Sequence, residues 1–352
     1  MSPAARRLVI DLASPRAAWR IPRPSVVEIK NAVGAGWDVL EVKAPAVSDG
    51  DGGGGSGSPE AIAAARGAEI YLGFGVPSGV AAAAQDTLRW AHTATAGVGS
   101  SLGHMGRGVL LTNSAGVHAE PMADWVIAAI AYFTRGLDRM IAAQRQGRWA
   151  KEDFTDGAIP MREFRELRLG VFGLGGIGSA VARRGLALGM QVSGVRRRPE
   201  RGGGGGSGGP KGVEWVGGLT DLPRLAGGSD VLVIAAPHTS ETVGAVDRRV
   251  LERLPHHAIV VNVSRGSLLD ETALLELLEL RRLRGAALDV FGTEPLPAGH
   301  PFWSHSRVLV SPHVSAVSGR FWERETALIV GNIRSYLAGA PLTNLVDREA
   351  GY

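Results

Sequence analysis

The sequence of 352 residues predicts an α/β protein with two doubly wound domains, each built on a parallel β-sheet. Short apolar strands alternate with helical segments along the chain, which is typical of parallel sheets covered on both faces. The chain is longer than a single average domain. Its content of 45% hydrophobic and 20% charged residues is that of a globular protein with a sizeable core.

The first half of the chain predicts four strands separated by helices. "RRLVIDL", "EIYLGFG", "LRWAHTATAGVG" and "GRGVLLTN" are the strand segments, and the third of them runs into a turn. "PEAIAAARGA" and "GVAAAAQDTL" predict the helices between them. "AEPMADWVIAAIAYFTRGLDRMIAAQRQGRW" then carries apolar residues at helical spacing, which predicts one long helical stretch.

The alternation resumes at Leu169 and continues almost to the end of the chain. "LGVFG", "MQVSGV", "DVLVIAAP", "AIVVNVS", "GAALDV" and "VLVSPH" predict strands, whereas "LDETALLELLELRRL" and the closing "RFWERETALIVGNIRSYLAG" predict helices. Two tracts rich in glycine and serine, at 49–60 and 201–212, cannot pack a core. We expect both tracts to be surface loops within domains, and the alternative is a linker between domains.

Charge and residue usage exclude several classes of protein. The net charge of +4 and the pI of about 9.7 come from cations spread along the chain, so nucleic-acid binding is not expected. The absence of cysteine excludes disulfides and thiolate catalysis and fits a cytoplasmic location. No apolar stretch approaches the roughly 20 residues of a membrane span, no signal peptide is recognisable, and the histidines lack metal-ligand spacing.

A glycine-rich turn follows the strand "LGVF" and precedes a helix. "GLGGIG" matches the G-x-G-x-x-G pattern of dinucleotide-binding turns. Gly173 permits the tight turn, Gly175 lets the backbone approach a pyrophosphate, and Gly178 allows close packing of helix on strand. The predicted cofactor-binding residues of this turn are Gly173, Leu174, Gly175, Gly176, Ile177 and Gly178.

Arginines occupy the position from which such a site normally recognises the adenosine ribose. An acid about 20 residues after the turn usually binds the ribose hydroxyls, but Arg196 and Arg197 follow the second strand here. An arginine can bind a 2′-phosphate through two hydrogen bonds, whereas an acid would repel it. The sequence therefore predicts NADP as cofactor, with NAD possible, and the alternative is a solvated cationic edge.

Three ionisable side chains each follow a short apolar strand. Arg265 lies in "VVNVSRGSLLDETAL", Glu294 in "GAALDVFGTEPLP" and His313 in "VLVSPHVSA". The carboxyl ends of parallel strands converge, so the three side chains are expected near the cofactor. Reduction of a ketone needs a proton donor, and a histidine oriented by a carboxylate suits that role. The arginine can bind a substrate carboxylate and polarise the carbonyl; alternatively, each residue is an ordinary surface, turn or strand-end residue.

Residues 95–341 resemble the D-isomer-specific 2-hydroxyacid dehydrogenases, through the stretches quoted above and "AAPHTSET". The resemblance implies that Arg265, Glu294 and His313 are the catalytic residues. It also implies a Rossmann-type cofactor domain and a flavodoxin-like substrate domain. The expected boundaries are 1–112 for the substrate-binding domain, completed by 315–352, and 113–314 for the NAD(P)-binding domain.

The same resemblance implies further site residues. Those that match other cofactor contacts are Pro237, Thr242, Val263, Ser264 and Asp289, the last being the acid that holds the nicotinamide carboxamide. Those that match the loops around the substrate are Gly73, Phe74, Ala96, Gly97 and Val98. The backbone amides of residues 96–98, together with Arg265, are expected to bind the substrate carboxylate.

The function implied by this resemblance is hydride transfer between NADP(H) and a small 2-oxoacid or D-2-hydroxyacid. Arg196 is similar to the corresponding residue of NADP-using glyoxylate and hydroxypyruvate reductases. The expected substrates are therefore 2-oxoacids of the glyoxylate or hydroxypyruvate type. A homodimer joined through the long helical stretch is expected, with neither nucleic acid nor membrane as partner. An NAD-using phosphoglycerate-type dehydrogenase and a corepressor-like protein of the same fold that senses NAD(P)H without turnover remain alternatives.

Overall fold

The structure is a computed structural model that describes residues 6–45, 55–157, 159–199, 210–349 and 351. The chain folds into two compact units, one formed by Met1–His118 with Val317–Tyr352 and the other by Ala119–Ala316. Each unit has its own β-sheet. Most of the two glycine–serine tracts predicted to be surface loops, at 49–54 and 201–209, lies outside the described residues.

The first unit is built on five parallel strands in the order β2-β1-β3-β4-β5, which is the flavodoxin-like order. The strands are β1 (Arg6–Asp11), β2 (Trp37–Glu41), β3 (Ala68–Gly73), β4 (Trp90–Thr93) and β5 (Leu110–Asn113). The helices are α1 (Arg23–Val33), α2 (Pro59–Ala65), α3 (Ser78–Ala83), α4 (Gly99–Leu102) and, near the end of the chain, α12 (Phe321–Leu337).

Helices cover both faces of this first sheet. Leu8 and Ile10 of β1 pack in one apolar cluster with residues of α1 and α12, whereas Val9 between them packs in a second cluster with α2 and α3. Successive residues of a strand point to opposite faces, so a strand covered on both sides must be apolar throughout. That requirement explains why the central strands appear in the sequence as continuous apolar runs.

The second unit is built on seven parallel strands in the order β12-β11-β10-β9-β6-β7-β8, a Rossmann-type arrangement. The strands are β6 (Arg168–Phe172), β7 (Gln191–Val195), β8 (Trp215–Gly217), β9 (Val231–Ile234), β10 (Ile259–Asn262), β11 (Gly285–Leu288) and β12 (Val308–Val310). The helices are α5 (Ala119–Thr134), α6 (Leu137–Arg145), α7 (Lys151–Thr155), α8 (Gly176–Ala187), α9 (Leu222–Gly227), α10 (Arg248–Leu251) and α11 (Glu271–Glu279). The fold class predicted from the sequence is confirmed.

The order of the second sheet reverses between β6 and β9. Strands β7 and β8 continue to one side of β6, and β9 to β12 continue to the other. Helices α5 and α8 pack with residues of β6 and β9 in one apolar cluster, and α9 to α11 complete a second cluster. Ligands of doubly wound sheets bind at such a reversal, beyond the carboxyl ends of the strands. The chain thereby places the glycine-rich turn after β6 at the centre of this edge.

The long helical stretch predicted after the first unit is divided in two. Helix α5 ends at Thr134, and α6 begins at Leu137 after Gly136, whose φ of 65° lies in the left-handed region. Within α5, Val126, Ile130 and Phe133 are fully buried. No helix in the described part of the chain is long and apolar enough to cross a membrane.

Candidate active site

The three glycines of the G-x-G-x-x-G turn differ in what a side chain would meet at each position. Gly173 has a φ of 98°, and a Cβ atom there would lie 2.5 Å from the backbone of Ala236. A Cβ atom on Gly178 would overlap with the carbonyl oxygen of Gly173, whereas a Cβ atom on Gly175 would meet no protein atom within 4 Å. Gly175 therefore lies against space that a ligand can use. Leu174 is buried beneath the turn, and Gly176 begins α8, whose positive N-terminal end suits a pyrophosphate.

The arginines predicted to recognise the cofactor lie at the neighbouring strand end. Arg196 directly follows β7, and its backbone N–H donates to the carbonyl oxygen of Gly217 over 3.0 Å. Arg197 is more exposed, and its Nε lies 3.3 Å from Glu241 Oε2. The backbone bond fixes where the Arg196 side chain starts. Strand β7 is the neighbour of β6 in the sheet. The two arginines therefore follow the strand end next to the one that carries the glycine turn.

The structure brings Glu294 and His313 into direct contact. His313 Nδ1 lies 2.7 Å from Glu294 Oε2, and Glu294 Oε1 accepts a hydrogen bond of 2.9 Å from the Phe291 N–H. The hydrogen bond to Glu294 raises the pKa of the His313 imidazole above its usual value, against the opposing effect of burial. Burial would raise the pKa of Glu294, but the bonds from His313 and Phe291 outweigh it and hold that pKa below its usual range. The pair therefore favours imidazolium beside carboxylate.

Arg265 belongs to the same group of charges. It follows β10 in an extended conformation, and its Nη1 donates to the carbonyl oxygen of Ser264 over 2.7 Å. Its positive charge acts on the pKa values of both Glu294 and His313, lowering each. Asn262 at the end of β10 is fully buried and holds this segment from both sides: its Nδ2 donates to the Arg265 carbonyl and its Oδ1 accepts from the Ser264 N–H.

Asp289 holds the turn that carries His313. Its fully buried carboxylate accepts hydrogen bonds from the Ser311 hydroxyl (2.6 Å), the Val314 N–H (2.9 Å) and the Ser315 N–H (3.0 Å). His313 itself has a φ of 55°, a conformation that costs a side-chain-bearing residue on the order of 1 kcal/mol. The three bonds around it keep the chain in that strained turn. The carboxylate expected to hold the nicotinamide carboxamide thus also positions the histidine.

The remaining predicted cofactor residues brace the loops between these strand ends. Thr242 Oγ1 donates to the Pro237 carbonyl over 2.6 Å, which closes the loop after β9. The Ser264 hydroxyl bonds to the Ala236 carbonyl, which ties the loop after β10 to the loop after β9. Val263 is buried and its N–H donates to the carbonyl of Ile234 over 3.2 Å. Ile177, in the first turn of α8, is half-buried.

The first unit contains the loop predicted to bind the substrate carboxylate. Thr95 Oγ1 donates to the Gly97 carbonyl and Asn113 Nδ2 donates to the Ala96 carbonyl, both over 2.8 Å. The N–H of a peptide points opposite to its C=O, so the amides of Gly97 and Val98 are turned away from these side chains. That orientation is the one an anion-binding loop requires. Val98 is buried and precedes α4.

The second predicted substrate loop begins where β3 ends. A Cβ atom on Gly73 would lie 2.7 Å from the ring of Tyr71, so a larger residue does not fit. Phe74 is half-exposed, and its ring makes an edge contact with Trp322 at 6.4 Å between centroids. The roles of both substrate loops stay predictions.

Sequence reasoning missed several residues that hold this site together. Asn262 and Glu271 were not singled out, and the bonds of Asp289 to the His313 turn were not foreseen. Glu271 accepts a hydrogen bond from the Gly292 N–H over 2.8 Å. The only feature of Glu271 that the sequence shows is its position in the first turn of a helix. Acids at that position usually stabilise only the helix itself. Among the described residues, no group of acids and histidines could hold a metal ion.

A family model matches most of the second unit of the chain. Residues 127–315 match the family model described as D-isomer specific 2-hydroxyacid dehydrogenase, NAD binding domain. A glyoxylate/hydroxypyruvate reductase A of Yersinia enterocolitica is 31% identical over 231 residues, covering 66% of this chain and 68% of the relative. A glyoxylate reductase of Korarchaeum cryptofilum is 31% identical over 246 residues, covering 69% of this chain and 70% of the relative.

A solved structure extends the similarity over nearly the whole chain. A D-isomer specific 2-hydroxyacid dehydrogenase from Xanthobacter autotrophicus, crystallised in complex with NADPH and MES, superimposes with a TM-score of 0.77 and 29% sequence identity. The match covers 99% of each chain. The similarity therefore includes residues 1–94 of the first unit, which lie outside the stretch that resembles the family in sequence.

Proposed function

The chain belongs to the D-isomer specific 2-hydroxyacid dehydrogenase family, and from that premise we propose that it is an NADP-using reductase of small 2-oxoacids of the glyoxylate/hydroxypyruvate type. The observation that carries the proposal is the 2.7 Å contact between His313 Nδ1 and Glu294 Oε2, within the electrostatic reach of Arg265. This trio suits the reduction of a carbonyl that lies next to a carboxylate. The relatives named as glyoxylate reductases support this substrate type.

The residues present fit a bound dinucleotide phosphate. A Cβ atom on Gly175 would meet no protein atom within 4 Å, so the backbone is open to a pyrophosphate at the start of α8. Arg196 and Arg197 would hold the 2′-phosphate through charge-assisted hydrogen bonds. The similar Xanthobacter enzyme binds NADPH, which supports the same choice here. When bound, the cofactor supplies the hydride.

The side chains of this chain would supply binding and the proton. Arg265 would bind the substrate carboxylate and polarise the carbonyl oxygen. The Nδ1 of His313 faces Glu294, so the opposite ring nitrogen, Nε2, would donate its proton to that oxygen as the carbonyl carbon accepts the hydride. Glu294 would keep the imidazole charged until the proton leaves. The product is the 2-hydroxyacid, and the reverse oxidation requires neutral His313.

Two finer features of the protein also belong to this proposal. A homodimer would cover the exposed apolar side chains of Leu137, Met140 and Ile141, which share one face of α6 in the predicted interface stretch. A monomeric mass in light scattering would contradict that assembly. The cytoplasmic location stays a prediction.

A substrate screen tests the proposed function directly. Oxidation of NADPH and of NADH is measured with glyoxylate, hydroxypyruvate, pyruvate, phenylpyruvate and 2-oxoglutarate. We expect NADPH oxidation with at least one of the first two acids. Acetone, in which a methyl group replaces the carboxylate of pyruvate, is the matched control, and kcat/KM should fall at least about tenfold from pyruvate to acetone because a charge-assisted bond to Arg265 is lost.

Other outcomes of the same screen would contradict the proposal. Efficient reduction of acetone would exclude a carboxylate-binding role for Arg265. A preference for NADH would favour the phosphoglycerate-type alternative. Tight NADPH binding without turnover of any 2-oxoacid would instead indicate a binding protein that senses the cofactor.

A further inference from the structure

The peptide between Phe291 and Gly292 is enclosed by the segment that follows Arg265. A Cβ atom on Gly266 would overlap with the carbonyl carbon of Phe291 and the amide nitrogen of Gly292, so these backbones are in direct contact. Gly266 is buried and is the immediate neighbour of Arg265. The loop that leads to Glu294 therefore rests on the backbone that carries Arg265.

Glu271 binds the same peptide through a hydrogen bond. Its Oε1 accepts a hydrogen bond of 2.8 Å from the Gly292 N–H, and burial raises the pKa of this half-buried carboxyl. The capping of α11 does not depend on it, because the Asp270 side chain already accepts from the Ala273 N–H over 2.9 Å. The side chain of Glu271 thus serves the loop of Gly292 rather than its own helix.

Two carboxylates hold consecutive amides of this loop. The Phe291 N–H donates to Glu294 Oε1 over 2.9 Å, and the next N–H, that of Gly292, donates to Glu271. The other oxygen of Glu294 faces His313 Nδ1. A displacement of Gly292 would move Phe291, and with it the bond that orients the Glu294 carboxylate toward the imidazole.

We propose that Glu271 is a positioning residue that clamps the Phe291–Gly292 peptide against Gly266 and so keeps Glu294 in contact with His313 and beside Arg265. Glu271 contacts neither Glu294 nor His313 through a hydrogen bond of its own; it acts through the Gly292 amide. This inference rests on the proposed function only in assigning His313 to proton transfer. Its geometric content, the dependence of the His313–Glu294 pair on Glu271, is measurable without turnover.

The test is the pKa of His313, read from an NMR titration of the imidazole ring carbon and proton. The His313 signal is assigned by its loss in His313→Ala. Glu271→Leu removes both the charge and the acceptor, whereas Glu271→Gln removes the charge and keeps an acceptor for the Gly292 N–H. Glu276→Leu is the matched control, because Glu276 lies on the exposed face of the same helix.

We expect Glu271→Leu to lower the pKa of His313 by at least about half a pH unit, because a displaced Glu294 no longer favours the imidazolium. Glu271→Gln and Glu276→Leu should each change the pKa of His313 by less than about half a pH unit. An unchanged pKa in Glu271→Leu would overturn the inference. An equal fall in Glu271→Gln would also overturn it, since charge alone would then be responsible.

Hydrogen exchange provides a second measurement if Glu271→Leu does not fold. In the wild-type protein at neutral pH the Gly292 amide, which donates to Glu271, should exchange at least about tenfold more slowly than an unprotected amide of the same sequence, and free exchange there would overturn the inference. A wild-type protein without 2-oxoacid reductase activity would contradict the proposed function, yet both measurements would still decide the role of Glu271.

Discussion

Replacing His313 with alanine is expected to lower kcat for 2-oxoacid reduction by about 10²–10⁴-fold, the usual contribution of a general acid. The imidazole stands against Glu294 on a turn fixed by Asp289, and alanine leaves no proton donor in its place. Because the cofactor turn lies after β6 and does not involve His313, NADPH affinity should stay near the wild-type value. Steady-state kinetics and a fluorescence titration with NADPH measure the two quantities.

The control for this prediction is His256→Ala, which removes an exposed histidine from the loop before β10. That variant should retain wild-type kcat. Near-normal turnover in His313→Ala would remove His313 from the mechanism.

Replacing Arg196 with aspartate is expected to weaken the use of NADPH by roughly tenfold or more. Loss of a charge-assisted bond to the 2′-phosphate costs about 1.5–3 kcal/mol, and each decade corresponds to about 1.4 kcal/mol. Use of NADH should hold or improve, because an acid at this position can bind the ribose hydroxyls. The ratio of kcat/KM for NADPH to that for NADH measures the change.

Arg249→Asp makes the same change of charge at a side chain that is 92% exposed, and it should leave the cofactor ratio unchanged. A wild-type preference for NADH would contradict the role of Arg196. So would an unaltered ratio in Arg196→Asp.

The parts of the fold that the sequence predicts are those buried on both faces. All four residues of β9 and of β10 are buried, and such strands must be apolar at every position. Strand β2 was missed because it is an edge strand in which all five residues are only partly buried, so polar side chains are tolerated. The helical period after residue 118 was recognisable, but a single glycine inside a periodic pattern does not reveal that the helix ends there.

Some residues of the site could be predicted from the sequence, and others could not. Arg265, Glu294 and His313 follow apolar strands, and the convergence of parallel strand ends brings such residues to one edge. Glu271 and the bonds of Asp289 could not be inferred, because they join residues 21 to 26 positions apart, Glu271 to Gly292 and Asp289 to Ser315. Those contacts depend on how each loop leaves its strand, which composition and spacing do not determine.

The central claim is that Glu294 holds His313 in the charged form that gives up the proton. The contact with Glu294 raises the pKa of His313, so reduction should be constant at low pH and should fall as pH rises through that raised pKa. Oxidation, which needs the neutral imidazole, should gain over the same window. In Glu294→Gln the amide keeps a hydrogen-bond acceptor but lacks the negative charge, so the pKa of His313 should be lower.

The most direct measurement is therefore the pH dependence of kcat for reduction at saturating NADPH, in wild type and in Glu294→Gln. The account predicts a lower maximal rate in Glu294→Gln and a descending limb displaced to lower pH by at least about half a pH unit, with unchanged NADPH affinity. A limb at the same pH in both proteins would contradict the claim that Glu294 controls the charge of His313.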